Sequence, residues 1–180
     1  MRFEPTKIHG VVRVELETIT DDRGFFARAW CREEFAAAGL VSDLLQCNIS
    51  YNTRLGTLRG MHYQADPHGE VKLVRATRGA VYDVALDLRL DSPTYLQWHA
   101  EELSADNRRA LYIGAGIAHG FITLTDDAEL FYQMSTQYVA EASRGVRWND
   151  PAFGIDWPAE PSVISDRDSS YPDFTAGEQA

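Results

Sequence analysis

The stretch Leu58-Arg59-Gly60-Met61-His62-Tyr63-Gln64 decides how the chain folds. As a strand it sends Leu58, Gly60, His62 and Gln64 to one face and Arg59, Met61 and Tyr63 to the other, because side chains two apart share a face. A sheet whose inward face carries a histidine and a glutamine has a polar interior. That predicts a β-barrel around a ligand cavity rather than a filled core.

Working outward, period-2 alternation rich in β-formers recurs at Val12 to Leu16, Val71 to Ala76, Val81 to Leu88, Ala118 to Leu124 and Leu130 to Met134. Turn signals separate these runs: Asp21-Asp22-Arg23-Gly24, Arg78-Gly79, Asp91-Ser92-Pro93, Gly114-Ala115-Gly116 and Asp126-Asp127. One helix is expected at Arg32 to Ala38, with Gly39 as its stop. From Asn149 onward Pro151, Pro158, Pro161 and Pro172 interrupt regular structure, which predicts an irregular tail wrapped around the strands. Many short strands with one or two short helices favour an all-β sandwich or barrel over a βαβ fold. With 180 residues, no internal repeat and no low-complexity linker, a single domain over 1–180 is expected.

Composition narrows the function. Hydrophobic residues make up 44% and charged residues 24%, which excludes disorder and a collagen-like repeat. The net charge of −10 argues against a duplex nucleic acid partner, since that affinity rests on basic residues neutralising phosphates. A small anionic ligand stays open, because a local arginine cluster can oppose the global sign. Of the 17 basic residues 15 are arginine, so Lys72 inside Val71-Lys72-Leu73-Val74 stands out. Cys31 and Cys47 show neither a CxxC motif nor zinc spacing. The N-terminal residues lack the apolar core of a signal peptide, and no run approaches the ~18 apolar residues of a membrane span. A cytoplasmic protein with no membrane partner is expected.

The residues able to carry chemistry are His62, Lys72, Asp83, Asp87, His119 and Tyr132, with several arginines. Each alone has a plain structural explanation. A strand histidine is often structural, Asp83 and Asp87 could be solvated outward-facing residues, and Tyr132 could pack in the core with its hydroxyl at the surface. Core packing, however, gives no reason to gather them in one barrel.

In order and spacing the chain resembles the dTDP-4-dehydrorhamnose 3,5-epimerase family, cupin-fold enzymes of deoxysugar biosynthesis. The segments that carry the resemblance are Asp22-Arg23-Gly24-Phe25-Phe26, Gln46-Cys47-Asn48-Ile49-Ser50, Leu58 to Gln64, Lys72-Leu73-Val74-Arg75 and Gly79 to Arg89. Ser92-Pro93-Thr94-Tyr95, Ala118-His119-Gly120-Phe121, Trp148-Asn149-Asp150-Pro151 and Ser165-Asp166-Arg167-Asp168 complete it. The resemblance implies a cupin jelly roll that forms a homodimer, with N-terminal strands exchanged so that part of each site comes from the partner. It implies a nucleoside-diphosphate sugar as substrate and neither metal nor other cofactor. His62 is then the general base oriented by Asp168, Tyr132 the acid on the opposite face of the sugar, and Lys72 the neighbour of the keto oxygen. His119 lines the pocket, Arg59 and Arg23 hold the diphosphate with Gln46 and Asn48, and Phe26 and Tyr138 flank the base.

The implied reaction, removal of a proton beside a ketone and its return on the other face, needs these residue types. An imidazole, as a class titrating near ~6.5, suits proton abstraction at neutral pH when a carboxylate fixes its tautomer. An enolate needs positive charge at its oxygen, which a lysine in a water-poor barrel supplies. Two phosphates fit arginine forks better than lysine point charges.

Two other classes compete. A metal-dependent cupin oxygenase needs several histidines and a carboxylate, but Gln64 occupies the second place of a His-x-His pair, leaving His119 and Glu70 to complete a poor site. A binding-only cupin has no use for an acid and a base together. Within the family, a single-centre epimerase or a ketoisomerase is a further alternative.

Some positions depart from the family pattern. Arg28 replaces a usual glutamate near the nucleotide base, and arginine only donates hydrogen bonds, so a base offering acceptors, on CDP or GDP, becomes an alternative to dTDP. The plainer expectation is that Arg28 faces solvent or pairs with an acid. Glu70 stands where a glutamine is common.

Overall fold

Alternating strands with polar turns fold into antiparallel sheets, and the structure, a computed structural model, describes residues 1–176 in this form. The N-terminal part supplies β1 (Arg2–Pro5), β2 (Val11–Glu15), β3 (Thr18–Asp21), β4 (Gly24–Ala27), helix α1 (Arg32–Ala37) and β5 (Gln46–Asn52). Then come β6 (Leu58–Gln64), β7 (Lys72–Arg78), β8 (Ala80–Asp87) and β9 (Trp98–Ser104). β10 (Ala110–Ile113), β11 (Ile117–Thr123), β12 (Ala128–Met134), β13 (Ser143–Gly145) and helix α2 (Asp166–Ser169) follow.

The strands form a six-stranded sheet, β1-β2-β10-β7-β12-β5, and a five-stranded sheet, β13-β6-β11-β8-β9. The hairpin β3-β4 stands apart from both. The architecture is the expected all-β jelly roll, as a two-sheet sandwich rather than a closed barrel. The last four residues of the expected 1–180 domain lie outside the described residues.

Val11, Val74, Leu111, Ile113 and Leu130 of the larger sheet pack between the layers against Val81, Ala85, Leu103, Ile117 and Phe121 of the smaller one. Apart from the small Ala85, each such side chain contributes about 1.5–3 kcal/mol by leaving water. Helix α1 covers the outer face of the larger sheet by setting Phe35 against Val14, Leu73 and Tyr112. It ends at Ala37, one residue short of the expectation, and Gly39 takes the left-handed φ of +72° that stops it. The irregular C-terminal segment covers the outer face of the smaller sheet through Phe153, Ile155 and Trp157, as its prolines predict.

Two sequence-based readings change. Asp83 and Asp87 are not solvated; both are 0% exposed and face inward with Val81 and Ala85. Asp87 accepts hydrogen bonds from Arg89, Ser92 and Thr94 and so pins the turn after β8. The strict alternation of β6 also fails. His119 pairs with His62 and Phe121 with Arg59, so two steps on β11 match three on β6. The extra residue is a β-bulge at Gly60. Residues paired across a ladder share a face, so Arg59 and His62 turn inward together. Leu58 and Met61 instead pack outward, against Trp148 and Val146 respectively. Gly60 has φ +140°, and a Cβ there would lie 2.5 Å from the Gly120 Cα, so a larger residue would break the bulge.

Candidate active site

The bulge places His62 at the mouth of the inter-sheet space, and the chain's end brings it a carboxylate. Ser165 caps α2 by accepting the Asp168 amide at 3.1 Å, which fixes where Asp168 points. Asp168 Oδ1 then lies 2.7 Å from His62 Nε2, and its Oδ2 accepts the Gly60 amide at 3.2 Å. Burial works against the charged carboxylate, but the hydrogen bonds from His62, Gly60 and Ser165 outweigh it and hold Asp168 below the usual carboxylate range. An ionised carboxylate only accepts, so His62 donates through Nε2–H and keeps its lone pair on Nδ1.

Beside it on β11, His119 Nε2 lies 2.8 Å from Asp83 Oδ2. Across the gap, β7 turns Lys72 inward. Its Nζ lies 2.7 Å from Glu70 Oε1 and donates to the His62 carbonyl at 3.2 Å, with both charged side chains almost fully buried. Tyr132 projects from β12 of the larger sheet, opposite the sheet that carries His62. Burial, the dominant influence, pushes its phenol upward, and Glu70 adds to this against the opposing charge of Arg59. Tyr132 is therefore a protonated donor at neutral pH. Arg59 Nε donates to Asn52 at 2.8 Å, which aims the guanidinium along the cavity.

These side chains border one cavity of about 580 Å³, which holds His62, Lys72, His119, Tyr132, Arg59 and Asp168 together. A second lobe of about 350 Å³ adjoins it, lined by Gln46, Asn48, Tyr138 and Glu70. His62, Lys72, Tyr132 and Arg167 border both lobes. The expected catalytic set and five of the expected binding residues thus meet in one place.

Arg23, Phe26 and Arg28 do not. Arg23 and Phe26 sit on the exposed β3-β4 hairpin, with Phe26 71% exposed and Arg23 paired to Asp21. Arg28, just past β4, donates to Glu34 at 2.7 Å, the acid pairing that was the plainer expectation. Among the described residues no group of three or more His, Cys, Asp or Glu is gathered as metal ligands. His62 and His119 are each engaged by an aspartate instead.

Sequence reasoning assigned no role to Arg167 and missed Asp83 as the partner of His119. Arg167 donates to Tyr171 at 3.0 Å and to Ser143 at 2.9 Å and adds a cation to both lobes. Its signal was adjacency to Asp168 within a Ser-capped turn. For Asp83 the signal was the period-2 spacing from Val81 and Ala85, which marked it as inward.

The arrangement is a carboxylate-backed base and a protonated phenol on opposite sheets, with an ammonium group bordering the same cavity. It suits abstraction and return of a proton beside a carbonyl.

Known proteins share this framework. The sequence profile described as dTDP-4-dehydrorhamnose 3,5-epimerase matches residues 5–176. A dTDP-4-dehydrorhamnose 3,5-epimerase of Sinorhizobium fredii is 43% identical over 96% of this chain and 89% of its own. The crystal structure of the Bacillus anthracis dTDP-4-dehydrorhamnose 3,5-epimerase, with TDP and PPi bound, superposes with a TM-score of 0.92. It shares 38% identity, covering 96% of this chain and 99% of that one. ChmJ of Streptomyces bikiniensis, a 3'-monoepimerase in complex with dTDP-quinovose, gives 0.87 at 35% identity over 94% and 86% of the two chains. No helix among the described residues is long and apolar enough to cross a membrane. With matching sequence over nearly its whole length and the same two-sheet framework, the chain belongs to the dTDP-4-dehydrorhamnose 3,5-epimerase family.

Proposed function

We infer that the protein is an isomerase that epimerises a dTDP-linked 4-keto-6-deoxyhexose at the carbons flanking the ketone. The observation that carries this reading is the shared cavity, in which the His62–Asp168 pair and Lys72 meet Tyr132 from the opposite sheet. His62 Nδ1 takes the proton from the carbon beside the carbonyl. Lys72 Nζ donates to the oxygen as it becomes an enolate, in surroundings where little water competes. Tyr132 then returns a proton to the other face and is reprotonated from solvent, while His62 releases to solvent the proton it took. Arg59 and Arg167 give the cavity the positive charge a diphosphate requires, despite the chain's net charge of −10.

The nucleotide needs more than this chain's own cavity offers. The β3-β4 hairpin exposes Ile19, Phe25 and Phe26, and the edge strand β5 exposes Ile49 and Tyr51. In a homodimer that exchanges hairpins, Arg23 and Phe26 reach the partner's site and supply the diphosphate and base contacts missing from their own. The two thiols, Cys31 and Cys47, are unpaired, which suits the reducing cytoplasm.

The test is incubation with a dTDP-4-keto-6-deoxyhexose in heavy water, locating the label by NMR. Deuterium at the carbons flanking the carbonyl, without added metal, is the expected result. Label at one carbon only would favour a second reading, a single-centre epimerase, which the likeness to the 3'-monoepimerase supports. No label on any nucleotide-linked ketosugar would overturn both.

A further inference from the structure

Glu70 lies two residues before Lys72 and is 7% exposed. One oxygen, Oε1, is occupied by the Lys72 ammonium at 2.7 Å. The other, Oε2, is buried and has no hydrogen-bond partner within the protein. The amide donors that line the same lobe are engaged elsewhere. Gln46 Nε2 bonds Asn48, and Gln64 Nε2 is held by the backbone carbonyls of His68 and Gln137. A carboxylate oxygen left unpaired in the interior is costly unless a ligand completes it. Asp83 Oδ1 is also unpartnered, but Asp83 does not line the cavity, whereas Glu70 lines the second lobe beside Lys72 and His62.

We propose that Glu70 is a specificity-determining residue whose Oε2 accepts a hydrogen bond from the hydroxyl next to the substrate's carbonyl. This rests on the epimerase reading, in which Lys72 meets the carbonyl oxygen. An α-hydroxy ketone presents an acceptor and a donor side by side. Lys72 Nζ holds Glu70 through Oε1 at 2.7 Å, so the ammonium and the unpaired Oε2 of the same carboxylate present the matching donor and acceptor side by side. In a 4-keto-6-deoxyhexose the hydroxyl is the one on C3, since C5 carries the methyl group and the ring oxygen. The ammonium fixes the carboxylate, so the acceptor is in place before the sugar arrives, and charge assistance strengthens the bond. A 3-deoxy sugar leaves Oε2 unpaired.

The experiment compares the dTDP-4-keto-6-deoxyhexose with its 3-deoxy analogue, following deuterium exchange at C5, a carbon both sugars carry. Wild-type enzyme is expected to prefer the hydroxylated sugar by about tenfold or more in kcat/KM, as for a charge-assisted hydrogen bond. In Glu70→Gln the amide oxygen stays on Lys72 and its NH2 group faces the lobe, so the preference collapses towards unity. Equal use of the two sugars by the wild type overturns the proposal even if the variant fails to fold. So does a preference unchanged in Glu70→Gln, because a residue serving only as counter-ion to Lys72 slows both sugars alike. Failure of the epimerase reading looks different: the wild type then exchanges neither sugar.

Discussion

His62 and Asp168 are 106 residues apart in sequence and 2.7 Å apart in space. One stands beside a β-bulge in the smaller sheet and the other on a capped turn within the C-terminal wrap. On the proposed mechanism the wrap is therefore part of the catalytic device. In Asp168→Asn the amide oxygen keeps the Gly60 N–H and the NH2 group faces Nε2, which removes the reason for Nε2 to carry the proton. Exchange into the substrate is expected to fall about 10²–10⁴-fold while dTDP affinity changes little. His62→Asn should abolish exchange with the same retained affinity. NMR exchange rates and titration calorimetry check both, and loss of nucleotide binding would mean a structural role instead.

Tyr132 offers a separate test, because the proposed mechanism assigns removal and return of the proton to groups on opposite sheets. Tyr132→Phe keeps the ring packed against the apolar core and deletes only the hydroxyl. Epimerised product should fall about a hundredfold, with exchange reduced by less than about tenfold. Equal loss of both, measured on one sample by NMR, would remove Tyr132 from the role of acid.

Much of this site is legible in the sequence. Period-2 alternation located Lys72, His119 and Tyr132 on strands, and polar turn signals bounded those strands. The facing of β6 was not legible. Alternation assumes one residue per step, and the bulge at Gly60 inserts an extra one, so Arg59 joins His62 inside. A bulge depends on two backbones meeting at Gly60 and Gly120, residues far apart in sequence. For Asp83 and Asp87 the period-2 spacing with Val81 and Ala85 marked the inward face, but their partners, His119 and the turn after β8, were hidden, since a strand aspartate looks alike whichever group meets it.

Asp87 gives a stability prediction with a definite sign. Burial opposes its charge, but Arg89, Ser92, Thr94 and the Arg89 amide outweigh that and lower it from 3.8 to about 2. A carboxyl lowered in the folded state stabilises it above the unfolded value. That contribution fades as pH falls from about 4 through about 2. Asp87→Asn should therefore cost on the order of 2 kcal/mol at pH 7 and make the acid limb between those values shallower. Urea midpoints across pH check it, and a parallel shift at every pH would count against the linkage.

Arg28 bears on which nucleotide is taken. Its guanidinium is held by Glu34, which also accepts from the N-terminal amine at 2.9 Å. A side chain held in this way has little to offer a cytosine or guanine acceptor. Arg28→Ala should leave a preference for dTDP over CDP and GDP unchanged within about twofold, as an exposed ion pair is worth little. A variant that gains dTDP affinity and loses CDP or GDP affinity would restore Arg28 as a base-reading residue.

The proposed hairpin exchange can be tested by complementation. One chain carries His62→Asn with an intact hairpin, and the other carries Arg23→Ala and Phe26→Ala with an intact His62. Each homodimer is impaired at both of its sites. If the hairpin serves the partner, the purified mixed dimer contains one site with a native base and native hairpin, and about half of the wild-type activity returns. If each hairpin serves its own chain, no native site exists and activity stays at the level of the parents. The two geometries differ only in which cavity receives Arg23 and Phe26, so the mixed dimer separates them without any assumption about how tightly the hairpin binds.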